Sequence, residues 1–141
     1  MSAGFLNFDE VEIGRSQRLA RTITATEVDQ FGHLSGDLNP LHMDDAFAAR
    51  SPFGRRLVHG LFTGALVSTA HTQLTGPGYA YVGQELKFLN PVFIGDTVNV
   101  EVTVVGKKDA KRILILDTVV SNQSGEKVIA GLSALKELVM A

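Results

Sequence analysis

The segment VHGLFTGALVSTAHTQL, residues 58–74, decides the fold of this chain. It is the longest apolar stretch with helical character, and it carries no charged side chain. A helix that is apolar nearly all round is typical of the centre of a fold. Gly60 and Gly64 lie one helical turn apart, where glycine lets another backbone or a ligand come close. The segment is too short and too rich in Ser, Thr and His for a membrane helix, so it predicts a buried central helix.

The sequence after this helix has the pattern of β-strands. Valine and isoleucine recur at alternate positions, which favours strands with one buried face. Short turns between consecutive strands indicate an antiparallel meander, and a long apolar helix beside such a sheet predicts an α+β architecture in which the sheet wraps the helix. The predicted strands are residues 79–88, with a continuation at 92–94, then 97–105, 113–122 and 127–138, with a hairpin loop at 107–111.

The sequence before the central helix predicts one strand and two helices. Residues 16–23 partly alternate and predict a strand. Thr24 and Glu27 fit a capping box, and Gly36 suits a helix end, so residues 25–35 are expected to form a helix. Asp44 can cap a second short helix over residues 44–50, and residues 51–56 read as a loop. The opening residues, to about position 13, are expected to form a short strand or an arm.

Length and composition limit the possible functions. The chain has 141 residues, which predicts a single domain over residues 1–141. Apolar residues make up 45% and charged residues 20%, which is ordinary globular usage. A net charge of −2 gives no basic field for a nucleic acid. The absence of cysteine excludes disulfides, thiol nucleophiles and thiolate metal sites. No signal peptide or membrane span is apparent, so a cytoplasmic protein is expected.

The segment FGHLSGDLNPLH, residues 31–42, carries the chemistry that the rest of the chain lacks. Asp37 and His42 are five residues apart on a turn that Pro40 stiffens. A carboxylate and an imidazole held in this way can share one water molecule or one substrate proton, as general acid–base catalysis requires. The alternative is an ordinary loop, because Asp, Asn and Pro are common in turns.

The start of the central helix is a second candidate. A helix N-terminus has free backbone N–H groups and a partial positive charge. At Gly60, which follows His59, a carbonyl oxygen could approach the backbone without meeting a side chain, as in an oxyanion hole. The alternative is a small residue at a crowded helix start.

A metal site is not expected. Asp37 and His42 could supply two ligands, but no HExxH or similar spacing provides the rest. His33 reads as a surface or capping residue, and His71 as a hydrogen-bonded core histidine that could also line a pocket. No GxSxG elbow and no phosphate-binding loop is present.

Three motifs together resemble one known family. The segments GDLNPLH (36–42), VHGLFTGALVS (58–68) and GQELKFLNPVFIGDTV (83–98) resemble those of the MaoC-like dehydratases. Within that family the likeness is greatest to the (R)-specific enoyl-CoA hydratases. The resemblance implies a hot-dog fold, in which a curved antiparallel sheet wraps a long central helix, as the element order also predicts. It further implies a homodimer with sheets joined edge to edge, which would cover exposed strand edges.

The resemblance also implies a mechanism. Asp37 and His42 would activate a water that adds to C3 of a trans-2-enoyl thioester, giving an (R)-3-hydroxyacyl thioester, or the reverse. The Gly60 N–H would stabilise charge on the thioester oxygen. Asn39 would fix the turn, and Ser68 matches a polar position that the family places near the cleft. The division of acid and base roles between Asp37 and His42 stays open, since a close pair titrates as a unit.

The resemblance places the substrate as well. The acyl chain of an enoyl-CoA or an enoyl-acyl-carrier-protein would lie along the central helix, although core packing is the alternative for each apolar candidate. Basic residues could meet the coenzyme A phosphates, but a solvated loop face is favoured for each. No cofactor is required, because the reaction moves only water and a proton. The acyl candidates are Leu61, Phe62, Leu66 and Val67, and the basic candidates are Arg55, Arg56, Lys107, Lys108 and Lys111.

Two other functions compete with hydration. A thioesterase on the same fold commonly uses a carboxylate on or near the central helix, but residues 58–74 contain none. A non-catalytic module that binds acyl thioesters would not need both Asp37 and His42. Fold alone does not decide between them.

Overall fold

A computed structural model, which describes residues 6–141, shows an antiparallel sheet packed on one long helix. The predicted opening segment begins outside the described residues, and its remainder forms a 3₁₀ turn at Phe8–Glu10 rather than a strand. The strands are β1 (Ser16–Thr22), β2 (Tyr79–Phe88), β3 (Thr97–Lys108), β4 (Ile113–Ser121) and β5 (Lys127–Glu137). The helices are α1 (Ala25–Ser35), α2 (Pro40–Met43), α3 (Asp45–Ala49) and α4 (Gly60–Thr75).

The sheet has five strands in the order β1-β3-β4-β5-β2. Every pairing is antiparallel, and β3, β4 and β5 form the predicted meander. The prediction is wrong for β2, which pairs with β5 and not with its sequence neighbour β3. The chain therefore crosses from one end of the sheet towards the other between β2 and β3, and β2 becomes an edge strand.

The core lies between the sheet and α4, which contacts β1, β2 and β3. Side chains of a strand alternate between its faces, and Val98, Val100, Val102 and Val104 of β3 are all fully buried. Burial of such side chains is the main favourable term in folding. Among the described residues, no helix has the combined length and apolar character that a bilayer crossing needs.

Helix α4 is less enclosed than its sequence predicts. Leu61, Ala65, Thr69 and Thr72 are exposed, and this spacing places them on one side of the helix. The most apolar of these residues, Leu61, is 66% exposed. The opposite side packs into the core, so the helix is buried on the sheet side and open on the other.

The helix ends agree with their sequence signals. Thr24 and Glu27 form the predicted capping box: the Thr24 hydroxyl accepts from the Glu27 N–H, and the Glu27 carboxylate accepts from the Thr24 N–H. Gly36 ends α1 with a φ of 81°, a left-handed angle that glycine adopts without strain. Asp44 caps α3 through the N–H of Phe47, as predicted.

Two predicted elements differ from the structure. The continuation at residues 92–94 is no strand, because only one isolated bridge joins Leu57 to Phe93. The hairpin loop was predicted too early, since β3 continues to Lys108 and only Asp109–Lys111 turn, followed by Arg112 with a φ of 53°. Polar side chains at the end of a strand resemble a loop in sequence although the backbone is still paired.

His71 of α4 is buried, as predicted, but it is not hydrogen-bonded. Its side chain is 3% exposed, and neither ring nitrogen has a partner among the described residues. The ring stands edge-on to Tyr81, with centroids 4.7 Å apart. Burial therefore lowers the pKa of His71 from 6.5 to about 4.

This pKa shift predicts a stability that depends on pH. Between about pH 6.5 and pH 4 the unfolded chain binds a proton at His71 that the folded chain does not, so stability is lost as the pH falls. We expect the unfolding free energy of the wild type to fall by about 2 kcal/mol more than that of His71→Leu between pH 7 and pH 4.5. Urea unfolding followed by circular dichroism measures both. Equal losses in the two proteins would contradict the assignment to His71.

Candidate active site

A cavity of about 560 Å³ opens at the N-terminus of α4. The α1–α2 segment forms one wall, and residues that follow β2 or begin β5 form the other. Asp37, His42, Gly60 and Leu61 all line it, so the structure brings together four of the seven predicted site residues. Most of the remaining lining is apolar, which suits an acyl chain.

The turn that carries Asp37 and His42 is built by local hydrogen bonds. The Ser35 hydroxyl accepts from the Asp37 N–H at 3.2 Å. The Asn39 side-chain oxygen accepts from the Leu41 N–H at 3.0 Å, and Pro40 occupies the first position of α2. Asn39-Pro40 is therefore a cap followed by a proline at N1, a combination that starts helices. The sequence predicted only a turn here, whereas the structure has a one-turn helix that ends just after His42.

The tautomer of His42 follows from its hydrogen bond. Nδ1 lies 2.8 Å from the carbonyl oxygen of Leu57. A carbonyl oxygen can only accept, so Nδ1 carries the proton and Nε2 is left with a lone pair. The ring is half-buried and borders the cavity. His42 is thus set up to accept a proton through Nε2.

A second histidine, His59, is also part of the site. It is 2% exposed and stacks on His42 with ring centroids 4.1 Å apart and an interplanar angle of 27°. Its Nε2 lies 2.9 Å from the carbonyl oxygen of Asp37, to which it must donate. Its Nδ1 is buried and has no hydrogen-bond partner within residues 6–141. From the sequence, His59 is expected only to mark the start of the helix, and its adjacency to Gly60 is the one signal for a place in the site.

Asp37, His42 and His59 also place one potential metal ligand each within 4.8 Å of one another. His42 Nδ1 and His59 Nε2 are both engaged with backbone carbonyls. These bonds leave the opposite nitrogen of each ring free, as in histidines that bind either a metal or a hydrogen-bonded water, and the lack of a metal stays a prediction.

Gly60 is the first residue of α4, and its N–H belongs to the helix positions that have no intrahelical acceptor. Later in the first turn, the Phe62 and Thr63 N–H groups both donate to the His59 carbonyl. A Cβ at position 60 would lie 2.6 Å from the ring of Phe88, so this ring would have to shift to accept a larger residue. Gly60 itself lines the cavity.

The other predicted site residues lie elsewhere. Asn39 caps α2 and does not line the cavity, and Phe62 is buried in the core. Ser68 is half-buried farther along α4, outside the cavity lining of this chain. Leu66 and Val67 are core residues, which confirms the packing alternative for them. The predicted roles of Asn39, Ser68 and Phe62 towards substrate stay predictions.

The basic candidates do not line the cavity either. Arg55, Lys108 and Lys111 are exposed, as favoured from the sequence. Lys107 donates to the Val11 carbonyl at 2.9 Å. Arg56 was predicted to lie on a solvated loop, and this is wrong: it is buried at 8% exposure against Asp29 and His42.

Comparison with known proteins gives a consistent result. A family model described as "MaoC like domain" matches residues 8–125. The chain is 40% identical over 132 residues to the (R)-specific enoyl-CoA hydratase of Aeromonas caviae, covering 93% of this chain and 98% of that protein. It is 38% identical over 125 residues to the (R)-specific enoyl-CoA hydratase of Rhodospirillum rubrum, covering 88% of this chain and 86% of that protein.

A solved structure agrees with the sequence relatives. The structure described as the (R)-hydratase from A. caviae involved in PHA biosynthesis has a TM-score of 0.88 and 41% identity, covering 91% of this chain and 98% of that one. The likeness confirms the predicted hot-dog fold. The family model matches residues 8–125, and the A. caviae enzyme is 40% identical over 93% of this chain. The chain therefore belongs to the MaoC-like dehydratases.

Proposed function

We propose that this protein catalyses the reversible (R)-specific hydration of trans-2-enoyl-CoA to (R)-3-hydroxyacyl-CoA. The observation that carries the proposal is the meeting of Asp37, His42 and the Gly60 N–H on one cavity. The relatives named (R)-specific enoyl-CoA hydratase support the same activity. The protein is accordingly a hydro-lyase.

The geometry supports separate roles for His42 and Asp37 in the addition step. His42 Nε2 has the lone pair and takes one proton from the water, while the Asp37 carboxylate accepts from its other O–H and orients it. The water oxygen bonds to C3 as the C2=C3 electron pair moves towards the thioester oxygen. The charge that builds there is stabilised by the Gly60 N–H at the helix N-terminus. The proton on His42 is then delivered to C2 on the same face.

The substrate enters a largely apolar cavity. Leu61 lines it and is proposed to contact the acyl chain. None of the lining residues is an arginine or lysine, so a coenzyme A nucleotide or an acyl carrier protein would lie outside the cavity.

A homodimer is part of the proposal. The outer edge of β2 pairs with no strand among the described residues, and unpaired edges favour pairing with another chain. Tyr81, Val82 and Phe88 of this strand are 42%, 52% and 56% exposed. A second copy that paired along this edge would cover these exposed apolar side chains. A single-domain chain and a cytoplasmic location stay predictions.

The test is a spectrophotometric assay with crotonyl-CoA in which free thiol is monitored in parallel. We expect loss of the conjugated enoyl-thioester absorbance without thiol release, and an (R) configuration in the product. Thiol release without hydration would instead favour a thioesterase. Binding without either signal across short, long and branched enoyl-CoA substrates would favour a non-catalytic module.

A further inference from the structure

Arg56 is placed where it can control His42 without touching the substrate. Its Nε donates to the backbone carbonyl of His42 at 2.5 Å, and its Nη2 donates to Asp29 Oδ1 at 2.5 Å. Asp29 lies on α1 and His42 on α2. One guanidinium therefore joins the two helices that flank the Asp37 turn.

The burial of Arg56 is unusual for this chain. Among the described residues it is the one arginine or lysine that is buried. Removing a charge from water is costly unless the charge is paired and hydrogen-bonded. Arg56 is paired with Asp29, which is itself 48% exposed. The bonds to Asp29 and to the His42 carbonyl therefore have to offset the cost of burying the guanidinium.

Neighbouring bonds show what Arg56 holds. The Leu57 N–H donates to the Leu41 carbonyl at 3.2 Å, and His42 Nδ1 donates to the Leu57 carbonyl. With the Arg56–His42 bond, three hydrogen bonds join residues 56–57 to residues 41–42. Behind them, the Val58 N–H donates to the Val92 carbonyl at 2.8 Å and ties the segment to the cavity wall.

The helix that carries His42 needs such support. Helix α2 has four residues, and a single helical turn is not stable by itself. The last carbonyls of a helix lack intrahelical donors, and Arg56 supplies one to the carbonyl of His42. A basic side chain at a helix C-terminus is also electrostatically favourable.

We infer that Arg56 is a positioning residue for hydration, which fixes the direction of His42 Nε2 by bonding the His42 carbonyl and anchoring it to Asp29. The inference rests on the proposed function. Because a shift of about 1 Å in a reacting group can cost roughly 10²-fold in rate, loss of this anchor should act on turnover and leave substrate binding nearly intact.

The experiment compares four variants on crotonyl-CoA. We expect Arg56→Gln to lower kcat by roughly tenfold to a hundredfold with little change in KM. Arg56→Lys should recover part of kcat, since an ammonium can reach one acceptor but lacks the planar fork. Asp29→Asn should give a smaller loss of the same kind. Arg18→Gln, which removes an exposed pair with Glu101, is the matched control and should leave kcat and KM unchanged.

A second readout is independent of turnover. The imidazole ¹⁵N resonances should show His42 as the Nδ1–H tautomer in the wild type and as a mixture in Arg56→Gln, with His42→Ala providing the assignment. A purely structural role of Arg56 would leave the His42 tautomer of the folded variant unchanged.

The outcomes separate the two proposals. An active wild type with an Arg56→Gln variant that is folded, equally active and unchanged in its His42 tautomer would overturn the inference about Arg56. A wild type without hydratase activity would overturn the proposed function, and the His42 tautomer would then decide the positioning role by itself. Should Arg56→Gln fail to fold, Asp29→Asn with an unchanged kcat and tautomer would overturn the inference.

Discussion

Replacement of His42 by alanine, or of Asp37 by asparagine, is expected to lower the turnover of enoyl-CoA hydration by about 10²–10⁴-fold while the protein stays folded. His42→Ala removes the Nε2 lone pair that the Leu57 hydrogen bond leaves free. Asp37→Asn keeps the shape of the side chain but puts a neutral amide where the proposed mechanism has a carboxylate that accepts from the water. Both side chains border the cavity and neither is buried, so the core is not disturbed.

The double variant gives a sharper test of the same pair. If Asp37 and His42 act on one water, the double variant Asp37→Asn/His42→Ala should lose little more turnover than either single variant. The rate effects of residues that act as a unit are strongly non-additive. His33→Ala is the control, since His33 is an exposed histidine on α1 outside the cavity lining. Initial rates and circular dichroism measure activity and folding. A folded single variant with a near-normal rate would refute the assignment.

Gly131→Ala is expected to have the largest effect on stability among single methyl additions. Gly131 lies in β5 opposite Leu86 of β2. A Cβ there would lie 1.8 Å from the carbonyl oxygen of Glu85, a backbone atom that cannot move aside without breaking the strand pairing. Overpacking of this kind costs about 3 kcal/mol or more, which corresponds to a Tm lower by about 10 °C.

The control for this variant lies in the same strand pair. A Cβ at Gly83 of β2 would lie 3.5 Å from the Ala134 Cβ, an ordinary van der Waals contact. Gly83→Ala should therefore leave the free energy of unfolding within about 1 kcal/mol of the wild type. Thermal and urea unfolding of the wild type, Gly131→Ala and Gly83→Ala measure these differences in stability. Equal stability of the two alanine variants would contradict the proposed clash at Gly131.

The helices and strands were predictable where one local signal sufficed. The bounds of α1 follow from the Thr24–Glu27 capping box and from Gly36, and all of these contacts are within a few residues. The alternating valines predict β3 in the same way, because their pattern is local to the strand. The position of β2 beside β5 was not predictable, because pairing between distant strands produces no pattern in the sequence of either strand.

The same distinction holds for the site. Asp37 and His42 share one turn, and their chemistry shows in the sequence. The involvement of His59 depends on a ring stack formed when α4 packs against the turn, and that contact spans 17 positions. Arg56 stands in a stretch with Arg55, Pro52 and Gly54 that is typical of a solvated loop, and only the path of the backbone turns its side chain inwards. The Asn39-Pro40 pair before an apolar residue is the signal for α2, but the same pair is also typical of a turn.

The order of strands in the sheet has a consequence for how the protein is made. All of the residues proposed for chemistry leave the ribosome before β2 does, yet β2 can join the sheet only through β5, and Val128 and Ile129 of β5 form part of the cavity wall. At ordinary rates of synthesis, roughly ten seconds separate the emergence of Gly60 from that of β5. Until β5 emerges, β2 has no neighbour in the sheet, and the outer edge of β4 is unpaired once that strand has been made, so both are open to wrong partners. The nascent chain thus has every residue proposed for chemistry long before the cavity wall is complete, and a ribosome that stops short of β5 is expected to release an aggregation-prone chain instead of a weakened enzyme.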